Sequence, residues 1–373
     1  MEEIEKIREK TDEIDTAMLR LFEERMECSK ELAHYKKEHG IPVLDPEREK
    51  QILEEFSAKV RNQKFAPYYI DFLSTVMNIS DRFQKRLNEG MKIAFNGETG
   101  AFAHIAAKRI FPNALHIPHP SFRDAYAAVE KGECDCAVIP IENSYAGEVG
   151  AVMDLMFEGE LKLTGTYTLP VTHNLLAPEG VNTEDIDTVM SHPQALAQCE
   201  EYINSHHWNT RSVSSTSYAA QLVAQGSEKN VAAIASDEAA EIFGLEVLDH
   251  DINKSSVNTT RFAVFSKADY VHAGQKSTNF IMIFTVSNVA GALAKAINII
   301  GENGFNMNAL RSRPVKDKAW QYYFYAELEG DDSSEQGKKM LAELAEQCDF
   351  IKIVGHYTKG LDLSDKHKYE IKG

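Results

Sequence analysis

The chain has 373 residues, too many for one hydrophobic core and enough for two or three domains. Its 43% hydrophobic and 26% charged residues suit an ordinary globular protein. A formal net charge of −17 opposes nucleic acid or an anionic membrane as a partner, so any anionic substrate must meet a local cluster of cations.

Residues 1–90 read as helix. The opening Met1-Glu2-Glu3-Ile4-Glu5 lacks the basic and apolar parts of a leader peptide, and no apolar run in the chain is long enough to span a bilayer. Ile7, Thr11, Ile14, Met18, Leu21, Arg25, Cys28, Leu32 and Tyr35 recur by four and three along a stretch from Glu2 to about Glu38 without Gly or Pro. Such a helix is roughly 55 Å long. It cannot bury itself within a three-helix segment, so an intertwined dimer is expected. Gly40-Ile41-Pro42 ends it, and Asp45-Pro46 supplies an N-cap and a first-turn proline for a second helix. A third follows Pro67, with Tyr69, Leu73, Val76, Ser80, Phe83 and Leu87 in the same spacing.

From 91 to 268 strands and helices alternate. Lys92–Asn96, Cys136–Pro140, Val231–Ala235 and Phe262–Phe265 read as strands, Gly97–Gly100 as a turn and Ala101–Phe111 as a helix. In this α/β class, ligands sit where strands run out into loops. Residues 277–358 read as strand, helix, strand, strand, helix, strand: Phe280–Val286, Ala292–Glu302, Phe305–Pro314, Trp320–Leu328, Glu335–Gln347 and Phe350–Tyr357. That is the ferredoxin-like α+β order. The tail, 359–373, is charged and expected to be loose. Five scattered cysteines (Cys28, Cys134, Cys136, Cys199, Cys348) show no CxxC pair or His/Cys cluster. They predict buried free thiols in a reducing cytoplasm and no metal site. His116 and His119 read as solvated loop residues.

Several polar residues stand where packing alone would not put them. Arg25 occupies the apolar seam, and a buried guanidinium must meet an anion. Lys36 lies about three turns later on nearly the same face. Arg8 could reach that pocket only from a partner chain. Asp45, Arg48 and Glu49 share one face of the second helix, and Ser80 and Gln84 one face of the third. In the α/β segment, Asn258-Thr259-Thr260-Arg261-Phe262 sets a hydroxyl beside a guanidinium, and Glu142-Asn143-Ser144 leaves a strand as a polar loop. Ser191-His192-Pro193-Gln194 and Ser215-Thr216-Ser217 sit at strand-to-helix turns, where helix N-termini favour anions.

On these residues, the first segment resembles the all-helical chorismate mutases. Arg8, Arg25, Lys36, Asp45, Arg48, Glu49, Ser80 and Gln84 stand where that family places its active-site residues. The resemblance implies a pericyclic rearrangement of chorismate with no nucleophile and no cofactor. The protein selects the chair-like conformer and stabilises charge growing on the breaking ether oxygen. Arg25 and a partner chain's Arg8 would clamp the carboxylates. Lys36 and Gln84 would face the ether oxygen, and Glu49 would accept from the substrate hydroxyl. Arg48 and Ser80 would help position the ring and a carboxylate.

The middle segment resembles prephenate dehydratase over 91–268, most specifically in Thr260-Arg261-Phe262 and Glu142-Asn143-Ser144. This implies a two-lobed, periplasmic-binding-like fold and loss of water and carbon dioxide from prephenate to give phenylpyruvate. Thr260 would polarise the departing hydroxyl, and Arg261 would hold a carboxylate. Glu142, Asn143, Ser144, Ser191 and Gln194 would line the cleft, with Phe262 packed beneath. The turn Gly97-Glu98-Thr99-Gly100-Ala101-Phe102-Ala103 carries alanines where many relatives carry hydroxyls, which leaves anion binding there to backbone amides. It also lacks the third glycine and downstream acid of a dinucleotide fingerprint.

Asn288-Val289-Ala290-Gly291-Ala292-Leu293 and Leu310-Arg311-Ser312-Arg313-Pro314 resemble the two phenylalanine-binding motifs of the ACT domain in this family. The resemblance implies feedback by L-phenylalanine through Asn288, Ala290, Gly291, Ala292, Leu293, Arg311, Ser312 and Arg313. Arg311 stands where relatives usually carry an acid. As a whole the chain resembles the bifunctional chorismate mutase/prephenate dehydratases, which implies a cytoplasmic homodimer or homotetramer without cofactor. Two other readings stay open. One is a dehydratase of prephenate or arogenate whose helical segment serves only to dimerise. The other is a non-catalytic amino-acid sensor.

Overall fold

A computed structural model describes residues 2–226, 228–253, 258–267, 277–316, 320–359 and 361–364. The chain forms two compact units, Met1–Met91 and Lys92–Gly373. The first is all helical: α1 (Glu2–Glu38), α2 (Pro46–Lys59) and α3 (Ala66–Glu89). The Asp45 side chain accepts from the Arg48 backbone N–H at 3.0 Å, and Pro46 opens α2, as the sequence predicts. Gly90, at φ 82°, ends α3. The second half of α1 packs on α3 around Ala33 and Met77. Ile4, Ile7, Ile14, Met18 and Leu21, in the first half, remain between 43% and 62% exposed.

In the second unit the chain runs β1 (Lys92–Asn96), α4 (Phe102–Ile110), β2 (Leu115–His119), α5 (Phe122–Lys131), β3 (Cys136–Asn143), β4 (Gly147–Glu148), α6 (Gly150–Glu158) and β5 (Lys162–Pro170). It then crosses to a second lobe: β6 (Asn174–Ala177), β7 (Thr188–Ser191), α7 (Pro193–Gln198), α8 (Glu200–Ser205), β8 (Asn209–Ser212), α9 (Thr216–Gln225), β9 (Val231–Ala235), α10 (Asp237–Phe243) and β10 (Glu246–Asp249). It returns as β11 (Thr259–Ser266). The two crossing strands are tied by Val171 N–H to Asn258 C=O and Ile252 N–H to His173 C=O, both 2.8 Å. The C-terminal segment follows as β12 (Asn279–Thr285), α11 (Ala292–Glu302), β13 (Asn306–Pro314), β14 (Tyr322–Glu329), α12 (Glu335–Gln347) and β15 (Phe350–Tyr357), ending in β16 (Leu361–Asp362).

Among the described residues the second lobe holds a sheet in the order β10-β6-β9-β7-β8. The remaining strands form one continuous sheet in the order β13-β14-β12-β15-β5-β11-β3-β1-β2, with β4 paired to β3 and β16 to β5. Its two halves meet at β15 and β5, which pair in parallel at Gly355 and Leu163. A Cβ at position 355 would overlap the Leu163 carbonyl, so only glycine allows this approach. One face of β12 and β14 (Phe280, Met282, Phe284, Ala326, Leu328) packs under α11 and α12. The other face (Ile281, Ile283, Tyr323, Tyr325) joins Tyr126, Val152, Met153 and Phe265 in the core of the first lobe.

Three expectations need correction. Residues 361–364 are not loose: Leu361 and Asp362 pair with Tyr167 and Thr168 of β5, and Leu363 is fully buried. His116 and His119 lie on β2 and not in a loop. Cys28 is exposed, whereas Cys134, Cys136 and Cys199 are buried.

Candidate functional sites

In the helical unit Arg25 is half-buried and donates through Nη1 to the Ser80 hydroxyl and to the Val76 carbonyl at 3.4 Å. Ser80 and Gln84 are each 3% exposed, and the Gln84 Oε1 has no partner among the described residues. A buried acceptor left unpaired costs about 1–3 kcal/mol. Lys36 donates to the Val43 carbonyl at 2.5 Å. Burial pushes the Glu49 carboxyl above its ordinary range, helped by a hydrogen bond and repulsion from Asp81 and by Asp45, with Lys36 opposing. Asp45 itself is an exposed cap. Arg48 and Arg8 are exposed. Arg8 stands about 25 Å along α1 from Arg25, so the two cannot share a pocket within one chain.

In the second unit β11 carries Thr260 and Arg261 to opposite faces. The register slips between Arg261 and Phe262, so Thr260 pairs with Asn143, Arg261 with Glu142 and Phe262 with Pro140. This irregularity sorts the residues. On the Thr260 face the Asn143 Nδ2 donates to Thr260 Oγ1 and to Asn258 Oδ1, both at 2.9 Å. Asn258 Nδ2 passes the network to Gln198 Oε1 at 3.1 Å, and His173 Nε2 meets the same oxygen at 2.8 Å. The chain of bonds thus runs from the first-lobe sheet through the crossing strands to α7 of the second lobe. His173 is 3% exposed, its Nδ1 has no partner among the described residues, and burial pushes its pKa down. The Phe102 ring lies edge-on to it, 5.8 Å away. Asn96, at the end of β1, also has a buried side-chain oxygen without a partner among the described residues.

Other expected cleft residues are occupied differently. The Ser144 hydroxyl accepts from the Thr259 N–H at 2.9 Å. Ser191 is fully buried and donates to the Ile234 carbonyl at 2.6 Å. Gln194 is exposed at the first turn of α7. Phe262 is 1% exposed.

Arg261 departs most from expectation. Its guanidinium is taken by Glu327 of β14, with Nη1 to Oε2 at 2.9 Å and Nη2 to Oε1, and Nη2 lies 3.3 Å from Glu142. Burial disfavours both charges, but their pairing outweighs it, holding Glu327 below the ordinary carboxyl range. Glu142 also pairs with Arg311, and Arg313 donates to Asp154 at 2.9 Å. Arg311 and Arg313 therefore face the first lobe, because alternate residues of β13 share one face. Only Asn288 and Leu293 of the expected effector residues line the cavity of about 620 Å³ beside α11, with Thr285, Trp320, Phe324 and Asp349. Ala290, Gly291 and Ala292 form the turn into α11, and Ser312 is exposed on β13.

Three family comparisons cover these parts in turn: chorismate mutase type II matches residues 7–85, prephenate dehydratase 93–270 and the ACT domain 280–346. A bifunctional chorismate mutase/prephenate dehydratase of Aquifex aeolicus is 31% identical, over 97% of this chain and 99% of its own. The chain belongs to the bifunctional chorismate mutase/prephenate dehydratase family. Among solved structures, the prephenate dehydratase of Arthrobacter aurescens in complex with L-Phe is 26% identical with a TM-score of 0.67, covering 72% of this chain and 90% of that one. A protein described as GqqA, a novel type of quorum quenching acylase, is 30% identical with the same score, over 72% and 98%.

For this bifunctional family member, sequence reasoning missed Asp81, Asn258, Gln198, His173 and Glu327. Asn258 directly precedes Thr259-Thr260-Arg261 in sequence. Gln198 and His173 carry no local signal, because their importance comes only from which side chains the two lobes bring together. Among the described residues no His, Cys, Asp and Glu cluster could hold a metal ion.

Proposed function

We propose that the chain rearranges chorismate to prephenate in its helical domain, about 1–90, and dehydrates and decarboxylates prephenate to phenylpyruvate in the two-lobed domain, about 91–268. The ACT domain, about 277–358, takes L-phenylalanine as end-product inhibitor. Arg25 and Lys36 supply the positive field, and the Gln84 amide is a neutral donor for the ether oxygen once its side chain turns to substrate. The exposed first half of α1 and the distance to Arg8 favour an intertwined dimer in which each Arg8 completes the other chain's pocket. Arg48 and Glu49 flank the ring side of that pocket. The proposed setting is the cytoplasm; among the described residues no helix is long and apolar enough to cross a membrane.

One observation carries the dehydratase assignment: Thr260 Oγ1 accepts its hydrogen bond from Asn143. Its own proton is therefore free to be donated. In the reaction the ring carboxylate leaves as carbon dioxide. Its electron pair completes the aromatic ring and expels the hydroxyl as hydroxide, which takes a proton from solvent and departs as water. A threonine hydroxyl is too weak an acid to give up its proton outright, so Thr260 polarises the leaving oxygen. Asn143 holds it there, and Asn258, Gln198 and His173 fix Asn143 from the second lobe.

The test is incubation of the purified protein with chorismate, following prephenate and then phenylpyruvate. Arg25→Ala should block the first step alone and Thr260→Val the second alone. Turnover of neither substrate would favour the sensor, and phenylpyruvate from prephenate alone would leave the helices as a dimerisation module.

A further inference from the structure

We propose that Glu327, a residue of the ACT domain, is a positioning residue for the dehydratase, pinning Arg261 so that the neighbouring Thr260 hydroxyl faces the cleft. The inference rests on the reading of Thr260 given above. Glu327 is 2% exposed and its carboxylate is saturated. Oε2 accepts from Arg261 Nη1 at 2.9 Å and from the Tyr357 hydroxyl at 2.8 Å, and Oε1 accepts from Arg261 Nη2 and from the Tyr325 hydroxyl at 2.6 Å. Both tyrosines belong to the ACT domain. The two tyrosine hydroxyls thus hold the carboxylate independently of Arg261, as a preorganised receptor requires.

Arg261 needs such a receptor because of where it sits. The ladder between β11 and β3 shifts register between Arg261 and Phe262, so a bulge interrupts pairing on that side of Arg261 while the ladder to β5 runs on through it. Thr260 is the next residue, on the opposite face, so a rotation of the strand that frees Arg261 also swings Thr260 Oγ1. Glu142, the second partner of Arg261, is itself held by Arg311 from β13. One ACT strand therefore holds Arg261 directly through Glu327, and a second holds it indirectly through Glu142 of β3.

A buried ion pair is a poor way to gain stability, since apolar replacements often do as well. Its directional bonds serve orientation. The ACT domain on this account is part of the working dehydratase as well as its regulator.

The full-length Glu327→Gln variant keeps the shape and loses the charge. Dehydratase kcat should fall about tenfold or more, the scale of a small misplacement of a reacting group. KM for prephenate should stay within about twofold, because the lost interaction does not touch the substrate. Mutase activity, housed in the other compact unit, should be unchanged. The double variant Tyr325→Phe/Tyr357→Phe leaves the charge but frees the carboxylate, and should lower kcat in the same direction by less. A Glu327→Gln kcat within about twofold of the parent, or a raised KM at unchanged kcat, overturns the proposal. Thr260→Val separates the two readings. If it stays active, the Thr260 assignment falls. If it is inactive while Glu327→Gln runs at full rate, only the Glu327 assignment falls.

Discussion

Replacing Thr260 by valine separates chemistry from folding. Valine keeps the β-branch that suits a strand and removes only the hydroxyl. The structural loss is small because the Asn143 amide, with two hydrogens, keeps acceptors at Asn258 Oδ1, 2.9 Å, and the Thr259 carbonyl, 3.3 Å. No buried donor is orphaned, so the stability cost should stay near one net hydrogen bond, about 0.5–1.5 kcal/mol. The thermal midpoint should move by only about 2–4 °C. Loss of the hydrogen-bond donor at the leaving oxygen should lower dehydratase kcat by about 10²–10³-fold, or roughly 3–4 kcal/mol of barrier. The assay follows phenylpyruvate from prephenate, with mutase activity of the same preparation as control. Dehydratase kcat within about threefold of the parent would refute the argument that the free Thr260 proton drives departure of the hydroxyl.

Arg25→Ala should lower mutase kcat/KM by about 10³-fold or more, with dehydratase intact, since it removes a charge-assisted clamp; steady-state rates on chorismate check this. Because burial and Asp81 hold the Glu49 carboxyl above its ordinary range, the acid limb of mutase activity should lie above that of a free carboxyl. Asp81→Asn removes a neighbour that raises that pKa, so the limb should shift to lower pH; an unmoved pH profile would count against Glu49 acting as a carboxylate. Asn288→Ala, at the cavity beside α11, should raise the L-phenylalanine concentration needed for half inhibition by about tenfold, measured in the dehydratase assay, with uninhibited kcat unchanged.

Long-range order along single elements was legible in the sequence. The stretch without Gly or Pro gave α1 its full length, Glu2–Glu38, and the ACT segment follows the expected sequence of six elements. Local backbone chemistry governs both, since apolar periodicity and the placement of Gly and Pro need no knowledge of neighbours. The direction of the arginines was not legible. Arg261, Arg311 and Arg313 are spent on Glu327, Glu142 and Asp154, acids up to about 170 positions away in sequence. Facing is set by strand register, and the shift beside Arg261 decides which side chains look into the cleft. The sequence by itself determined which elements form and which residues could do the chemistry. Only the tertiary structure decided which of those residues remain free to do it, because an ion pair forms wherever folding happens to bring opposite charges into register.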